Sequence, residues 1–333
     1  MSEAARKIRW GVLGYARIAR VSVIPAIVRS ANSEFFALAS RDPGKLVEAR
    51  AQQPLPRAYE SYDDLLRDPR IDAVYIPLPN SLHREWTLKA AAHGKHVLCE
   101  KPIALNAAEC REMIAACAAR KVNLMEAFMY RYTDRIRQVQ AVLRSGALGE
   151  IKFVSACFRF PLANPGSIKL KPELGGGALY DVGCYPVNFA GLVADHALAP
   201  PGAASPPLAV PHTVRATAHR VDGIDVITSA LLQYPGGLIA SLHCGFNAQK
   251  VVGAEIVGTE GVLQVPETFF DAPGSLILIR GEERRELPVA ASDRYRSEVE
   301  DFAAAILEGR PPQGSLAESL RNMEVLDRVF AAL

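Results

Sequence analysis

The stretch Ile8-Arg9-Trp10-Gly11-Val12-Leu13-Gly14-Tyr15-Ala16-Arg17-Ile18-Ala19 decides the fold of the first half of the chain. Its first six residues are an apolar run typical of a buried strand, and from Gly14 the chain turns into a helix that extends to about Ser30. Gly14-x-Ala16-x-x-Ala19 follows the dinucleotide-binding pattern, with alanine at the second and third glycine positions. Such a turn offers backbone N–H groups to a pyrophosphate, although a purely structural turn is the alternative. The predicted dinucleotide contacts here are Gly14, Tyr15, Ala16, Arg17 and Ile18.

Strands and helices continue to alternate as far as residue 127. We predict further strands at 34–40, 73–76, 97–99 and 121–125, and helices at 63–66, 83–92 and 107–120. Strands and helices at this spacing predict a doubly wound parallel sheet covered on both faces, which is an α/β Rossmann domain.

After about Glu126 the pattern changes to long runs of alternating polarity. A helix at 132–145 precedes predicted strands at 151–160, 213–221, 226–234 and 238–246, and tight turns at 222–223 and 235–237 predict hairpins. This half is therefore predicted to be α+β, an open and mostly antiparallel sheet with a helix on one face. Residues 200–211 read as an exposed connection, and 298–308 and 316–333 as closing helices. We predict domains at 1–127 and 128–333.

Composition excludes several classes of protein. The 333 residues exceed the usual size of one core, and 49% hydrophobic content is ample for two. With 38 basic and 36 acidic residues and no run of like charge, nothing favours nucleic acid or a membrane as partner. The six cysteines show neither metal nor disulfide spacing, so we expect reduced structural thiols, and His93 and His96 lack the partners of a metal site. We therefore also expect no bound metal. Because residues 1–7 leave no room for a signal peptide, we expect a cytoplasmic protein.

The end of the second predicted strand bears on cofactor choice. An NAD-specific site would carry an acidic residue there to accept the ribose hydroxyls, but the chain reads Ala39-Ser40-Arg41-Asp42. Ser40 can donate to a 2′-phosphate, and Arg41 can cover it and stack on adenine. We therefore predict NADP, with NAD as the alternative if Asp42 takes the acidic role. The alternative without a function is that Arg41 and Asp42 form an ordinary turn exposed to solvent.

Two later strand ends also point to the cofactor crevice. Leu78, Asn80 and His83 follow the strand at 73–76 and are predicted cofactor contacts, while Asn80 or Ser81 could also cap the next helix. Glu100-Lys101-Pro102 follows a buried strand, so both Glu100 and Lys101 are expected to reach the cofactor. The ammonium of Lys101 could polarise a substrate oxygen or lower the pKa of a neighbouring phenol. A solvated strand end is the commoner fate of a lysine.

A carboxylate and a phenol follow the glycine triplet Gly175-Gly176-Gly177. Asp181 and Tyr185 are four residues apart, so they share one face of the predicted helix. Such a pair can exchange a hydroxyl proton and bind adjacent sugar hydroxyls. An ordinary amphipathic helix is the alternative, but it would not need three flexible glycines ahead of it.

Several motifs in this order resemble the glucose-fructose oxidoreductase/inositol dehydrogenase (Gfo/Idh/MocA) family almost end to end. They are the nucleotide turn, Glu100-Lys101-Pro102, and the stretches 125–131, 175–185, 255–261 and 298–302. The resemblance implies a Rossmann domain joined to an open sheet, pyranose or polyol substrates, and a homodimer or homotetramer assembled through the sheet. It makes Lys101 and Tyr185 the catalytic pair and Asp181 a substrate ligand.

The tyrosine at 185 resembles the branch of NADP-dependent xylose dehydrogenases, dimeric dihydrodiol dehydrogenases and sugar 3-ketoreductases. That branch often has an aromatic residue and a histidine where this chain has Tyr132-Thr133. The hypothesis is an NADP-dependent oxidoreductase that moves a hydride between nicotinamide and a ring carbon of a cyclic sugar. Two alternatives stay open: an NADP-sensing binding protein without turnover, and an NAD-dependent glycosidase that oxidises its substrate transiently at C3. Retention of Lys101, Asp181 and Tyr185 together argues against the sensor.

Overall fold

A computed structural model describes residues 6–199 and 208–333. The chain divides into two compact units, the first made of Met1–Met129 with Arg294–Ser319 and the second of Tyr130–Asp293 with Leu320–Leu333. Most of the predicted connection at 200–211 lies outside the described residues, as do the first five residues of the chain. In the part of the chain that the structure describes, no helix combines the length and apolar character needed to cross a membrane.

The first unit is built on a six-stranded sheet in which every pair of neighbours is parallel. The strands are β1 (Ile8–Leu13), β2 (Ser33–Ala39), β3 (Arg57–Tyr59), β4 (Ala73–Ile76), β5 (His96–Glu100) and β6 (Leu124–Ala127). Their order is β3-β2-β1-β4-β5-β6, so the direction of winding reverses between β1 and β4. The carboxyl ends of strands at such a reversal form the crevice where doubly wound sheets bind ligands. This confirms the predicted parallel sheet.

Helices cover both faces of this sheet. A helical segment at 17–29 contains a π-helical turn (Ala19–Val23) followed by α1 (Ile24–Arg29); the next helices are α2 (Pro43–Gln52), α3 (Tyr62–Arg67), α4 (His83–Ala92) and α5 (Ala107–Ala119). Polar side chains fix several starts, because Asp42, Ser61 and Asn106 each accept a hydrogen bond from a backbone N–H in the first turn of α2, α3 and α5. The sequence patterns did not predict α2 or β3.

The second unit is an eight-stranded sheet with helices α6 (Asp134–Ser145) and α7 (Cys184–Ala197). Its strands are β7 (Ile151–Arg159), β8 (Thr213–Val221), β9 (Ile224–Gln233), β10 (Ile239–Gly245), β11 (Val251–Gly258), β12 (Val262–Pro266), β13 (Gly274–Arg280) and β14 (Glu283–Val289). The order is β14-β13-β12-β11-β7-β10-β9-β8, and only β7 and β10 pair in parallel among the described residues. The prediction of a mostly antiparallel sheet is confirmed, and α7 packs against β7 and β10.

Two closing helices, α8 (Arg294–Glu308) and α9 (Leu316–Ala331), follow β14. Helix α8 returns to the first unit, where the rings of Phe302 and Trp10 lie 5.6 Å apart between centroids. Glu300 adds two hydrogen bonds, since its side chain accepts from Ala31 N and its carbonyl from the Asn32 amide. The first unit is therefore discontinuous in sequence, which differs from the single predicted boundary at residue 127. An amphipathic pattern shows that a helix has an apolar face, but not which core that face joins.

Candidate active site

The turn after β1 is shaped by Gly14. Its φ of +99° is a conformation that only glycine adopts readily, and a Cβ atom there would lie 3.0 Å from Leu78 Cδ2. The Gly14 N–H donates to Ala39 O at 2.8 Å, which fixes the turn against the end of β2. The bare backbone before the helical segment at 17–29 fits the close approach of a pyrophosphate.

The residues that follow Gly14 differ in how far their side chains are exposed to solvent. Tyr15 is only 5% exposed, and its hydroxyl donates to Gln52 Oε1 at 2.9 Å, so its ring supports α2. Ala16 and Ile18 are half-buried and Arg17 is exposed. Backbone contacts from Tyr15 and Ala16 and a side-chain contact from Arg17 stay predictions.

The turn after β2 has two interpretations: Asp42 could bind the ribose of NAD, or Ser40 and Arg41 could bind the 2′-phosphate of NADP. Asp42 is the N-cap of α2, and its Oδ1 accepts from Gly44 N at 2.9 Å, so this carboxylate is engaged in its own helix. Ser40 is 3% exposed and its hydroxyl oxygen accepts from Asp42 N at 3.1 Å, which leaves the hydroxyl proton to donate elsewhere. Arg41 is exposed, with its guanidinium 5.5 Å from the centroid of the Tyr62 ring. Ser40 and Arg41 thus suit a 2′-phosphate better than Asp42 suits a ribose hydroxyl.

The segment after β4 contains His83, which the sequence predicts as a cofactor contact. His83 is fully buried, with Nδ1 2.9 Å from Pro102 O and Nε2 2.9 Å from Leu78 O. Burial lowers the pKa of its imidazole. With its ring nitrogens beside Pro102 O and Leu78 O, the side chain connects two loops, and its contact with the cofactor stays a prediction. A buried histidine and an exposed one look alike in sequence.

Leu78 and Asn80 keep positions compatible with their predicted role. Leu78 is 8% exposed and packs on Gly14, while Asn80 is half-buried in a short 3₁₀ turn, Asn80–Leu82. The capping alternative for Asn80 or Ser81 is not realised at α4, because the N-cap residue of that helix is Leu82 and no side chain caps it.

Glu100 and Lys101 lie where β5 ends. The buried Tyr75 hydroxyl donates to Glu100 Oε1 at 2.5 Å, and Lys101 N donates to Glu100 Oε2 at 3.3 Å. Burial, with the neighbouring Glu100 charge second, raises the pKa of Tyr75 well above its usual value, so Tyr75 remains a phenol and a donor. Lys101 is half-buried and precedes Pro102 through a cis peptide bond.

One carboxylate beside this turn was not predicted as functional from the sequence. Glu126, in β6, is 5% exposed, and its Oε1 accepts from Ile103 N at 2.9 Å. Burial raises its pKa to about 7, against the lowering effects of the hydrogen bond from Ile103 N and of the Lys101 charge. The available signal was a glutamate inside the otherwise apolar strand Leu124–Ala127.

In the second unit the glycine triplet is a packed turn, which corrects its predicted flexibility. A Cβ on Gly176 would lie 2.7 Å from Lys169 O, and one on Gly177, at φ +123°, would lie 2.3 Å from Asp225 Oδ1. Asp225 Oδ2 in turn accepts from Leu179 N and from the Thr228 hydroxyl, both at 2.7 Å. These glycines allow a close backbone approach that anchors the π-helical turn Leu179–Gly183 ahead of α7.

Asp181 lies in that π-helical turn and Tyr185 one residue into α7. The Asp181 carboxylate is 15% exposed and forms an ion pair with Lys169 Nζ at 2.7 Å, a partner that the sequence did not predict. Tyr185 is 4% exposed and packs among three aromatic rings at centroid distances of 5.8, 5.3 and 5.3 Å, those of Tyr130, Phe158 and Phe269. The ring is therefore held firmly by its unit, while Lys101 belongs to the other unit.

Two family models match the chain. The model described as "Oxidoreductase family, NAD-binding Rossmann fold" matches residues 8–128. The model for the GFO/IDH/MocA C-terminal domain matches residues 136–264.

Individual relatives match over nearly their whole length. The chain is 36% identical over 327 residues to D-xylose 1-dehydrogenase (NADP(+)) 2 of Haloferax volcanii, covering 96% of each protein. It is 32% identical over 340 residues to a trans-1,2-dihydrobenzene-1,2-diol dehydrogenase of Xenopus laevis, covering 98% of each. Among solved structures, a 3-ketoreductase of Actinomadura kijaniata in complex with NADP and TDP-benzene matches with a TM-score of 0.89 at 30% identity, over 98% of each chain.

Proposed function

Because the chain belongs to the Gfo/Idh/MocA oxidoreductase family, we propose that it is an NADP-dependent enzyme that oxidises or reduces a ring carbon of a cyclic sugar or sugar derivative. The observation that carries the proposal is the set Lys101, Asp181 and Tyr185, retained in family order in a chain that matches both family domains. The relatives named above, a D-xylose 1-dehydrogenase (NADP(+)) and a 3-ketoreductase in complex with NADP and TDP-benzene, support both the substrate class and the cofactor.

The first unit supplies the residues that would hold NADP. The backbone at Gly14 is free to approach the pyrophosphate, and Ser40 with Arg41 presents a hydroxyl and a guanidinium to a 2′-phosphate. When bound, NADP supplies or accepts the hydride at nicotinamide C4. The protein's own task is to orient the sugar and to move one proton.

We assign that proton transfer to Tyr185, whose phenolate oxygen would take the proton from the sugar hydroxyl during oxidation and whose hydroxyl would return it during reduction. The aromatic rings around Tyr185 hold its ring in place, so little orientation has to be established when substrate binds. Lys101 would donate a hydrogen bond to the reacting oxygen, favouring the alkoxide character that develops there. Asp181, held by Lys169, would accept from a neighbouring sugar hydroxyl. That these residues act on one substrate rests on family membership.

The reaction class is tested with a panel of aldoses, inositols and keto-sugars, each with NADP(H) and NAD(H). Turnover followed at the nicotinamide absorbance should occur with NADP(H) and a cyclic sugar. Absence of turnover with every sugar, together with tight reversible binding of NADPH, would favour the sensor. A cofactor that stays bound and does not exchange during hydrolysis of a glycoside would favour the glycosidase.

Replacing Arg41 with alanine should weaken NADPH binding by about 1.5–3 kcal/mol, the range for a hydrogen bond to a charged group, and leave NADH binding nearly unchanged. The exposed Arg41 guanidinium is the charge closest in sequence to Ser40, and only NADPH carries the phosphate it would contact. Dissociation constants for both cofactors follow from fluorescence titration. Lys45→Ala, which removes an exposed cation of the neighbouring helix α2, is the matched control and should alter neither constant. Equal losses for NADPH and NADH in Arg41→Ala would contradict the assignment.

We further propose that the enzyme is a homodimer or homotetramer formed through the sheet of the second unit. Val154 of β7 and Ile256 of β11 are fully buried, so they lie on the covered face of this sheet. On the opposite face, an apolar row crosses five strands in register. The row consists of Ile239, Phe153, Val257, Val262 and Ile279. Apolar side chains in a contiguous row are typical of an interface.

A charge in this row should therefore dissociate the oligomer. Val257→Asp is expected to shift the sedimentation coefficient toward that of a monomer, because a buried carboxylate would lack a partner. Val47→Asp, at a position 66% exposed on α2, is the control and should leave the wild-type value. A wild-type protein that is monomeric at micromolar concentration would contradict the proposal.

A further inference from the structure

The turn that carries Lys101 has two backbone groups that the sheet does not pair. Strand β5 ends at Glu100, so Pro102 O and Ile103 N lie beyond its ladder, and Ile103 is fully buried. Buried backbone groups in native proteins have partners, and in this turn side chains provide them. His83 Nδ1 lies 2.9 Å from Pro102 O, and Glu126 Oε1 accepts from Ile103 N at 2.9 Å.

The acceptor on Glu126 is itself held in place. Its backbone is part of β6, which pairs with β5 so that Glu126 is in register with Cys99, two residues before Lys101. The side chain is also enclosed by the core, since the residue is 5% exposed. Movement of the Ile103 amide is thus limited by a side chain that belongs to the core of the sheet.

We propose that Glu126 is a positioning residue, which fixes the place of Lys101 by accepting the hydrogen bond from Ile103 N. The inference deepens the proposed function and rests on the catalytic role given there to Lys101. It assigns to Glu126 no contact with substrate or cofactor. The carboxyl acts through the backbone, on the residue that follows Pro102.

The chain offers a conservative variant and a matched control. Glu126→Gln keeps a side-chain oxygen for Ile103 N, and Glu126→Ala removes it. Glu109 Oε2 accepts from Leu105 N at 3.1 Å, two residues further along the same segment, so Glu109→Ala deletes a similar bond that does not hold the Lys101 turn.

We expect Glu126→Ala to lower kcat by about 10²-fold, the loss typical of a catalytic group displaced by an ångström, with the NADPH dissociation constant unchanged. Glu126→Gln should recover most of the lost kcat, and Glu109→Ala should retain the wild-type value. Hydrogen–deuterium exchange of the peptide that contains Ile103 gives a readout without turnover: faster exchange in Glu126→Ala, and wild-type protection in Glu126→Gln.

Three results would overturn the inference. They are a wild-type kcat in folded Glu126→Ala, an equal loss in Glu109→Ala, and a Glu126→Gln variant that protects Ile103 but is as slow as Glu126→Ala. Lys101→Ala, measured alongside, separates this inference from the proposed function. If Lys101→Ala turns over normally, the proposed function fails and the inference with it, whereas a slow Lys101→Ala with a normal Glu126→Ala contradicts the positioning role alone.

Discussion

Replacing Tyr185 with phenylalanine should lower kcat by about 10²–10⁴-fold, the usual contribution of general acid–base catalysis, while the affinity for NADPH is kept. The substitution deletes only a hydroxyl, because phenylalanine retains the ring that packs against Phe158 and Phe269. Steady-state kinetics and fluorescence titration of NADPH measure the two quantities. Tyr180→Phe removes a hydroxyl five residues earlier and should leave kcat unchanged.

The pH profile of the same variant adds a second readout. If the Tyr185 oxygen accepts the sugar's hydroxyl proton, kcat/KM for sugar oxidation should rise with pH in the wild type. This rise should disappear in Tyr185→Phe, since the titrating group has been removed. A phenylalanine variant that keeps both the turnover and the pH profile of the wild type would mean that another group moves the proton.

Lys101→Ala should reduce kcat by about 10²–10³-fold, as expected when one donor to a developing oxyanion is removed, and should weaken NADPH binding far less. Lys101→Met keeps most of the aliphatic stem and removes the ammonium, so it should be as slow as the alanine variant. Single-turnover rates compared with NADPH dissociation constants provide the measurement. A loss of NADPH affinity that matches the loss of rate would place the main task of Lys101 in cofactor binding instead.

Most strands of the first unit could be predicted because each is a short apolar run ended by a glycine, a proline or a polar cap. The bounds predicted for β4 and α4 are those observed, and β1 was predicted over the same residues. Helix α2 and strand β3 could not be predicted this way. α2 alternates small and charged residues with only Leu46 and Ala49 buried, and β3 has three residues, none of them buried. Their places are set by the neighbours on which they pack.

The residues of the candidate site also differ in whether local sequence patterns could predict them. Gly14, Lys101 and Tyr185 could be predicted from local patterns, since each occurs beside a strand end or a glycine turn. The hydrogen-bond partners of His83 and Glu126 could not be predicted, because they are backbone atoms of a turn that is distant in sequence, at Pro102 and Ile103. Lys169 was missed for a similar reason, since its ion pair with Asp181 depends on the close approach that Gly176 permits.

The return of α8 to the first unit has a consequence for how the protein is made. The Trp10 side chain is fully buried, and Phe302 is part of what covers it, yet residues 130–293 are synthesised between the two. Domains generally fold in order as they leave the ribosome, N-terminal first. Here the Trp10 side chain of β1, the strand at the centre of the nucleotide-binding sheet, lacks its Phe302 contact until the second unit has been translated. A chain that ends before α8 would therefore lack the aromatic ring that packs on Trp10.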